Sequence, residues 1–143
     1  ARHSIAIAGG PALLIDESYN ANPVSMRATM SELARTAGDR RVAILASMKE
    51  LGPDSARFHA ELKGPLEQAG VGYTLLVGEE MAALAKALDA DVAWTGKFAH
   101  CADTSVAISM AHDVLQPGDS ILVKGSNSMG LSALVDALVS GGI

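Results

Sequence analysis

The feature of this sequence that most constrains its fold is a regular alternation between short apolar runs and longer segments of helical period. Residues 42–46, 73–77 and 121–124 are apolar runs, and each is followed by a segment whose apolar positions recur every three or four residues. Strands buried on both faces read as continuous apolar runs, and helical crossovers join them into a parallel sheet. We therefore predict an α/β fold with a Rossmann-like, open, mostly parallel sheet and helices on both faces.

Local signals add detail to this sheet. Two short apolar runs flank Gly9-Gly10-Pro11, where glycines can take the positive φ of a hairpin turn, so we predict an antiparallel N-terminal edge strand. Gly64-Pro65 predicts a kink or a split in the second helix, because proline lacks an N–H and clashes with the preceding turn. The other predicted strands lie at 42–46, 73–77, 92–95 and 121–124, and the later helices at 55–69, 80–88, 104–115 and 131–139.

Composition excludes several classes of protein. The 143 residues are 49% hydrophobic and 19% charged, which is typical of one folded domain, and no apolar run approaches the roughly 18 residues of a membrane span. A net charge of -5 without a cluster of Lys or Arg argues against nucleic acid as a partner. The low aromatic content, 3%, gives no indication of a large exposed apolar patch, so we expect a monomer.

The ends of the chain and its cysteine usage suggest a setting. Cys101 is the single cysteine and no leader-like segment is present, so we expect a reducing cytoplasm. The chain begins with Ala1-Arg2 rather than Met, and we expect it to be a piece of something longer.

Ligands of such sheets bind at the carboxyl ends of the strands. The densest set of polar side chains there follows the second predicted strand, where carboxylates can accept hydrogen bonds from ribose hydroxyls and amides can contact a base or a phosphate. Single residues also have structural interpretations, since Asn22 suits a helix N-cap, Tyr19 could be half-buried packing and Ser18 could satisfy a turn. The candidate ligand residues of this loop are Asp16, Glu17, Tyr19, Asn20, Asn22 and Pro23.

Other chemistry-bearing residues form no convincing constellation. His100, Cys101 and Asp103 are types that bind metals, but no second pair stands at a metal-site spacing, so we predict no metal site. We interpret all four histidines as structural or surface residues, and His59 could pack or pair with Glu50 or Glu61.

Residues 14–26, which read LIDESYNANPVSM, resemble the signature that opens the last domain of the Mur ligases that add D-alanyl-D-alanine to a UDP-N-acetylmuramoyl-tripeptide. Two further segments, residues 42–52 and 123–126, are similar to later motifs of that family and follow in the same order. The resemblance covers nearly the whole chain. It implies that residues 1–143 are a single Mur ligase C-terminal domain, with the central ATPase domain and the N-terminal UDP-binding domain absent.

The resemblance implies an ATP-dependent amide ligase of peptidoglycan synthesis. In such enzymes the tripeptide carboxylate is phosphorylated and the amine of D-alanyl-D-alanine attacks the acyl phosphate. This chemistry needs a glycine-rich phosphate loop and Mg²⁺. The only Gly-Lys pair here, Gly96-Lys97, is followed by Phe98 and lacks the upstream glycine. We therefore expect ATP and Mg²⁺ to be bound mainly by the central domain. We expect no catalytic residue in this chain and no activity of the chain alone.

By the same resemblance, Asp16 and Glu17 correspond to residues that hold the nucleotide ribose, with Glu17 preferred, and the rest of that loop adjoins the nucleotide. Lys124, Gly125 and Ser126 correspond to the wall that receives the dipeptide carboxylate. An ammonium, an N–H and a hydroxyl together would bind an anion well. The alternative for Lys124 is a solvated lysine paired with a surface carboxylate.

The chain also departs from the family pattern. Ser47 stands where many members have Asp, and Met129-Gly130 where they have Met-Glu, so the roles of those acids cannot be transferred. Two other functions stay open. A receiver-like signalling module would use Asp16, Glu17 and Lys124 but lacks an aspartate at a middle strand end, and a stand-alone small-molecule-binding regulator would need no phosphate loop.

Overall fold

The computed structural model describes residues 1–141 and contains six strands and six α-helices. Short 3-10 turns at Gly52–Asp54, Glu79–Met81 and Asn127–Met129 precede three of the helices. The strands are β1 (Arg2–Ile7), β2 (Gly10–Glu17), β3 (Arg40–Ala46), β4 (Tyr73–Val77), β5 (Lys97–Cys101) and β6 (Asp119–Lys124). The helices are α1 (Pro23–Ala34), α2 (Ser55–Ala60), α3 (Lys63–Gln68), α4 (Ala82–Ala90), α5 (Thr104–Val114) and α6 (Ser132–Val139).

All six strands belong to one sheet with the order β1-β2-β6-β3-β4-β5. β1 runs antiparallel to β2, and every other neighbouring pair is parallel. The predicted mostly parallel sheet with an antiparallel N-terminal edge strand is therefore confirmed. Within residues 1–141, no helix is long and apolar enough to cross a membrane.

The sheet separates two apolar cores. One face carries Leu14, Ile44 and Val123, which pack with residues of α5 and α6. The other face carries Leu45 and Leu122, which pack with residues of α1, α3 and α4. Both faces of the inner strands are thus covered, which explains why β3, β4 and β6 are continuous apolar runs.

The hairpin turn lies one residue earlier than predicted. Ile7 pairs with Gly10, so the connection consists of Ala8 and Gly9 alone. Both residues have positive φ, 49° and 82°, as a two-residue turn compatible with the twist of the strands requires. Gly10 instead begins β2, where a Cβ would lie only 2.6 Å from the Cβ of Pro117.

The predicted split of the second helix is confirmed, but it lies upstream of the proline. α2 ends at Ala60 and α3 begins at Lys63, which places Pro65 in the first turn of α3. A proline in the first turn of a helix costs no helical hydrogen bond. In a continuous helix, however, its ring would clash with the carbonyl four residues earlier, at Glu61. The chain therefore breaks at Glu61 and Leu62.

The predicted strand at residues 92–95 is wrong. Val92 is fully exposed, and the Trp94 N–H donates to the Asp91 carbonyl in a turn. The strand is β5, which begins at Lys97 and pairs with β4 from Tyr73 onward. β5 is an edge strand in which Lys97 and His100 are exposed, so its sequence is less apolar than that of the turn before it. His100 and Cys101 belong to this strand.

Candidate functional site

The candidate site lies where three neighbouring strands end. β6 lies between β2 and β3, with Lys124 in register with Glu17 on one side and Leu45 on the other. The loops that follow these strands enclose an open groove of about 370 Å³. Its lining consists of Tyr19, Asn20, Ala21, Lys49, Glu50, Ser126, Asn127 and Ser128.

The groove brings together parts of both predicted constellations. Tyr19 and Asn20 come from the loop after β2, and Ser126 comes from the loop after β6. The other predicted ligand residues lie beside the groove rather than in its lining, namely Asp16, Glu17, Asn22, Pro23, Lys124 and Gly125.

Short-range hydrogen bonds shape the loop after β2. The Ser18 N–H donates to Asp16 Oδ1 over 3.0 Å, which turns the chain directly after the strand. The Tyr19 hydroxyl donates to Glu17 Oε2 over 2.7 Å, although the Tyr19 side chain is 62% exposed. This hydrogen bond and the nearby Glu17 charge raise the pKa of the Tyr19 phenol. The Glu17 carboxylate is thereby oriented at the edge of the sheet without being buried.

Asn22 and Pro23 start α1. The Asn22 side chain accepts from the Ser25 N–H over 2.8 Å, and Ser25 Oγ accepts in return from the Asn22 N–H over 3.1 Å. Pro23 is the first residue of the helix, where its fixed φ suits the helical backbone. The structural interpretation of Asn22 as a cap is therefore confirmed, and a contact of Asn22 with a ligand would be additional to it.

Lys124 is the last residue of β6 and is only 3% exposed. Its Nζ donates to the Asn20 carbonyl over 2.7 Å. Burial lowers the pKa of the Lys124 ammonium, while the Glu17 carboxylate opposes that shift. The alternative of a solvated lysine paired with a surface carboxylate is wrong.

Gly125 and Ser126 follow directly and bring the loop against β3. A Cβ at Gly125 would lie 2.5 Å from the Ala46 Cβ, so only glycine fits this approach. Ser126 Oγ accepts from the Lys49 N–H over 2.9 Å. The hydroxyl proton of Ser126 remains available for donation toward the groove.

The loop after β3 contributes two groove residues that the sequence did not single out. Lys49 Nζ forms an ion pair of 2.8 Å with Glu80, and this bond is the largest of several causes that lower the pKa of Glu80 to about 2. Glu50 has a φ of 63°, which is uncommon for a residue other than glycine. Both lie in the segment 42–52 that resembles a family motif, but neither is among the predicted ligand residues. Ser47, whose role stayed open, is fully buried and lies beneath Gly78.

His59 supports this loop from below. The fully buried imidazole accepts from the Met48 N–H at Nε2 over 2.9 Å, and its Nδ1–H donates to the Ser55 carbonyl over 2.7 Å. These two bonds define a neutral tautomer. The structural interpretation of His59 is confirmed, but its partners are backbone groups rather than Glu50 or Glu61.

The possible metal-binding types around β5 have structural partners. His100 Nε2 lies 2.7 Å from the Gly78 carbonyl, and Asp103 caps α5 by accepting from the Val106 N–H. Burial raises the pKa of the Cys101 thiol, which disfavours the reactive thiolate. Within residues 1–141, no three His, Cys, Asp or Glu side chains are grouped as a metal site would require.

Chemically, the groove offers the Tyr19 phenol and the Asn20 amide on one wall, with the Glu17 carboxylate beside them, and the hydroxyls and amide of residues 126–128 on the other. The first set suits hydroxyl-rich and polar ligands, and the second suits an anion. No phosphate-cradling glycine loop accompanies them in this sequence. An arrangement of this composition is able to bind and orient a polar ligand.

Comparison with known proteins gives consistent matches. A family model described as "Mur ligase, glutamate ligase domain" matches residues 4–127. The UDP-N-acetylmuramoyl-tripeptide--D-alanyl-D-alanine ligase of Synechocystis is 36% identical over 132 residues, covering 92% of this chain and 28% of that ligase. Crystal structure II of MurF from Acinetobacter baumannii matches with a TM-score of 0.78 and 26% identity, over 96% of this chain and 30% of that one.

A MurF ligase from Thermotoga maritima, solved in complex with ADP, shares the fold with a TM-score of 0.71 at 21% identity, over 96% of this chain and 30% of that one. The chain thus spans less than a third of the length of these relatives.

Proposed function

Because the chain belongs to the Mur ligase family, we propose that it is the C-terminal domain of an ATP-dependent ligase that joins D-alanyl-D-alanine to a UDP-N-acetylmuramoyl-tripeptide in peptidoglycan synthesis. The relative from Synechocystis carries the name of this activity. The observation that carries the proposal is the shared groove, in which Tyr19 and Asn20 face the loop of Ser126. Nucleotide and dipeptide would then meet this domain side by side.

On the nucleotide side, the residues present fit a ribose. Glu17 Oε2 is held by the Tyr19 hydroxyl, while Oε1 has no hydrogen-bond partner within residues 1–141 and can accept from a ribose hydroxyl. Asp16, Asn20, Asn22 and Pro23 complete the proposed nucleotide loop. A triphosphate and Mg²⁺ are not matched by this chain's residues, so their contacts are assigned to a central domain of the same ligase. When bound there, ATP supplies the phosphoryl group that activates the tripeptide carboxylate.

On the dipeptide side, the family resemblance assigns the wall to Lys124, Gly125 and Ser126, of which Ser126 lines the groove. Ser126 Oγ already accepts from the Lys49 N–H, so its proton is free to donate to a carboxylate. Direct contact by Lys124 would require the loop that covers its ammonium to move, because Lys124 is only 3% exposed. The proposal includes an N-terminal domain for the UDP end of the donor, a monomeric enzyme, and a cytoplasmic location, where ATP and the nucleotide-linked precursor are found.

No observation favours the two alternatives. A receiver-like module needs an aspartate at a middle strand end, but β3 and β4 end at Ala46 and Val77, and Asp103 beyond β5 is a helix cap. A stand-alone regulator would give no reason for the likeness to parts of much longer ligases.

The test is a kinetic comparison in the full-length ligase that contains this chain. We expect ATP-dependent joining of D-alanyl-D-alanine to the tripeptide, and Glu17→Ala should raise the KM for ATP by one to two powers of ten, because a charge-assisted hydrogen bond contributes about 1.5–3 kcal/mol. Asp113→Ala, which removes an exposed acid on α5, is the matched control. Absence of ligation by the wild-type enzyme, or an equal rise in KM for both substrates, would contradict the proposal.

The isolated chain gives a second test. It should bind Mg-ATP only weakly, since the triphosphate contacts belong elsewhere. Submicromolar binding in a calorimetric titration would place the phosphate site within this chain and would refute the proposed division between domains.

A further inference from the structure

Lys124 is enclosed by the fold rather than presented to the groove. It ends β6 between Glu17 of β2 and Leu45 of β3, on the face of the sheet that α1 covers. Only 3% of the residue is exposed. Its ammonium therefore reaches the underside of the loop that leads from β2 into α1.

Among the described residues, a single hydrogen bond holds the middle of that loop. Its first residues are held by the Ser18 N–H to Asp16 and by the Tyr19 hydroxyl to Glu17, and its end by the Asn22 cap. Within the part of the chain that the structure describes, residues 20–21 have a single hydrogen bond to the rest of the protein. That bond is the 2.7 Å contact from Lys124 Nζ to the Asn20 carbonyl.

Holding a charge at this place is costly for the fold. Burial lowers the pKa of Lys124, and the Glu17 carboxylate acts against that shift. A buried ammonium costs desolvation free energy, and an apolar side chain of similar volume at this position avoids that cost. The apolar stem of Lys124 could thus be supplied by Met, so fold stability alone does not account for the ammonium.

We propose that Lys124 is a positioning residue, which holds the Asn20 segment in place and so sets the geometry of the nucleotide loop. Lys124 ends the strand that leads directly into the dipeptide wall. This inference rests on the proposed function. It differs from a direct role in dipeptide capture, because the loop covers the ammonium, which donates to the Asn20 carbonyl beneath it. A ligand carboxylate could reach Lys124 only after the loop had moved.

The test uses the full-length ligase with Lys124→Met, which keeps most of the stem and deletes the ammonium. We expect the KM for ATP to rise about tenfold, while the KM for D-alanyl-D-alanine stays within about threefold. Hydrogen exchange of the unliganded enzyme should become faster in the peptide that contains residues 18–22. Lys97→Met makes the same change at an exposed lysine, the first residue of β5, and should alter none of these readouts.

Several results would overturn the inference. A selective rise in the KM for D-alanyl-D-alanine would make Lys124 a dipeptide ligand. Unchanged exchange in residues 18–22, or an unchanged KM for ATP, would remove the positioning role. Melting temperatures lowered by more than about 10 °C in both Lys124→Met and Lys124→Gln would make Lys124 a requirement of the fold instead.

The inference and the proposed function fail separately. A wild-type enzyme without ligase activity refutes the function, whereas the exchange measurement needs no substrate and still tests whether Lys124 holds the loop.

Discussion

The Tyr19 hydroxyl donates to Glu17 Oε2 over 2.7 Å, so two residues of the proposed nucleotide loop hold each other in place. The two side chains are two positions apart and come from the end of a strand and the start of a turn. Because the Tyr19 ring is exposed, this bond is formed in contact with solvent, and its strength can be read directly from titration of the phenol.

Replacing Glu17 by Gln should lower the pKa of Tyr19 toward its ordinary value of 10.0, because the hydrogen bond to the carboxylate and its charge both raise that pKa. Spectroscopic titration of phenolate formation measures this shift. Burial also raises the pKa of Tyr73, so the experiment needs a Tyr73→Phe background. An unchanged Tyr19 titration in Glu17→Gln would show that the pair does not persist in solution.

Substitutions of Asn22 should separate its structural role as a helix cap from any contact with a ligand. Asn22→Ala removes the N-cap of α1 and should cost about 1 kcal/mol of unfolding free energy, whereas Asn22→Asp keeps an acceptor and should cost less than about half of that. Chemical denaturation of this chain measures both. Equal losses in the two variants would contradict a capping contribution, and a higher KM for ATP in the Asp variant of the full-length ligase would reveal an amide contact with the nucleotide.

His59→Leu should destabilise this chain by about 1–3 kcal/mol, because the Met48 N–H and the Ser55 carbonyl would lose buried partners. His59→Gln, which can again accept near the position of Nε2, should recover part of the loss. The control is His112→Leu on α5, where the side chain is 65% exposed. Urea denaturation gives the free energies, and a similar effect in both leucine variants would rule out the buried bonds as the cause.

The Lys49–Glu80 pair should make stability depend on acid pH. The Lys49 hydrogen bond is the largest of the causes that lower the pKa of Glu80 from 4.5 to about 2. A carboxyl group with a lowered folded-state pKa stabilises the protein above its unfolded pKa and loses that contribution as the pH falls through the folded value. The window therefore runs from pH 4.5 down to about 2.

In thermal melts, Glu80→Gln should be less stable than the wild type at pH 7 by up to about 1 kcal/mol, since both partners are partly exposed. The difference should shrink as the pH approaches 2, and the neighbouring Glu79→Gln should show little effect. A gap that stays constant from pH 7 to 2 would mean that the ion pair is not its origin.

Much of the fold follows from local sequence patterns. Apolar runs gave β3, β4 and β6 within two residues, and the Asn22-Pro23 pair marked the start of α1. The failure at β5 has a physical reason, because an edge strand with Lys97 and His100 exposed is less apolar than the turn at Trp94. Strand order could not be read from periodicity, since the position of β6 between β2 and β3 depends on how the two cores close.

The site divides in the same way. The loop after β2 was identifiable because so many ligand-capable side chains follow one strand. The burial of Lys124 and its bond to Asn20 were not identifiable, since lysines are usually exposed and the partner lies 104 residues away. Lys49 and Glu50 line the groove because of the conformation of their loop. Glu50 has a positive φ there, which no sequence pattern predicted.

The central place of β6 also bears on synthesis of the chain. β1 and β2 form one hairpin and β3, β4 and β5 form a second unit, and only β6 joins them. Until residues 119–124 leave the ribosome, β2 and β3 each have an unpaired apolar edge, which is a template for aggregation. A nascent chain that stops before Asp119 should therefore need chaperone protection, and folding should be completed late, by insertion of the strand that ends in Lys124.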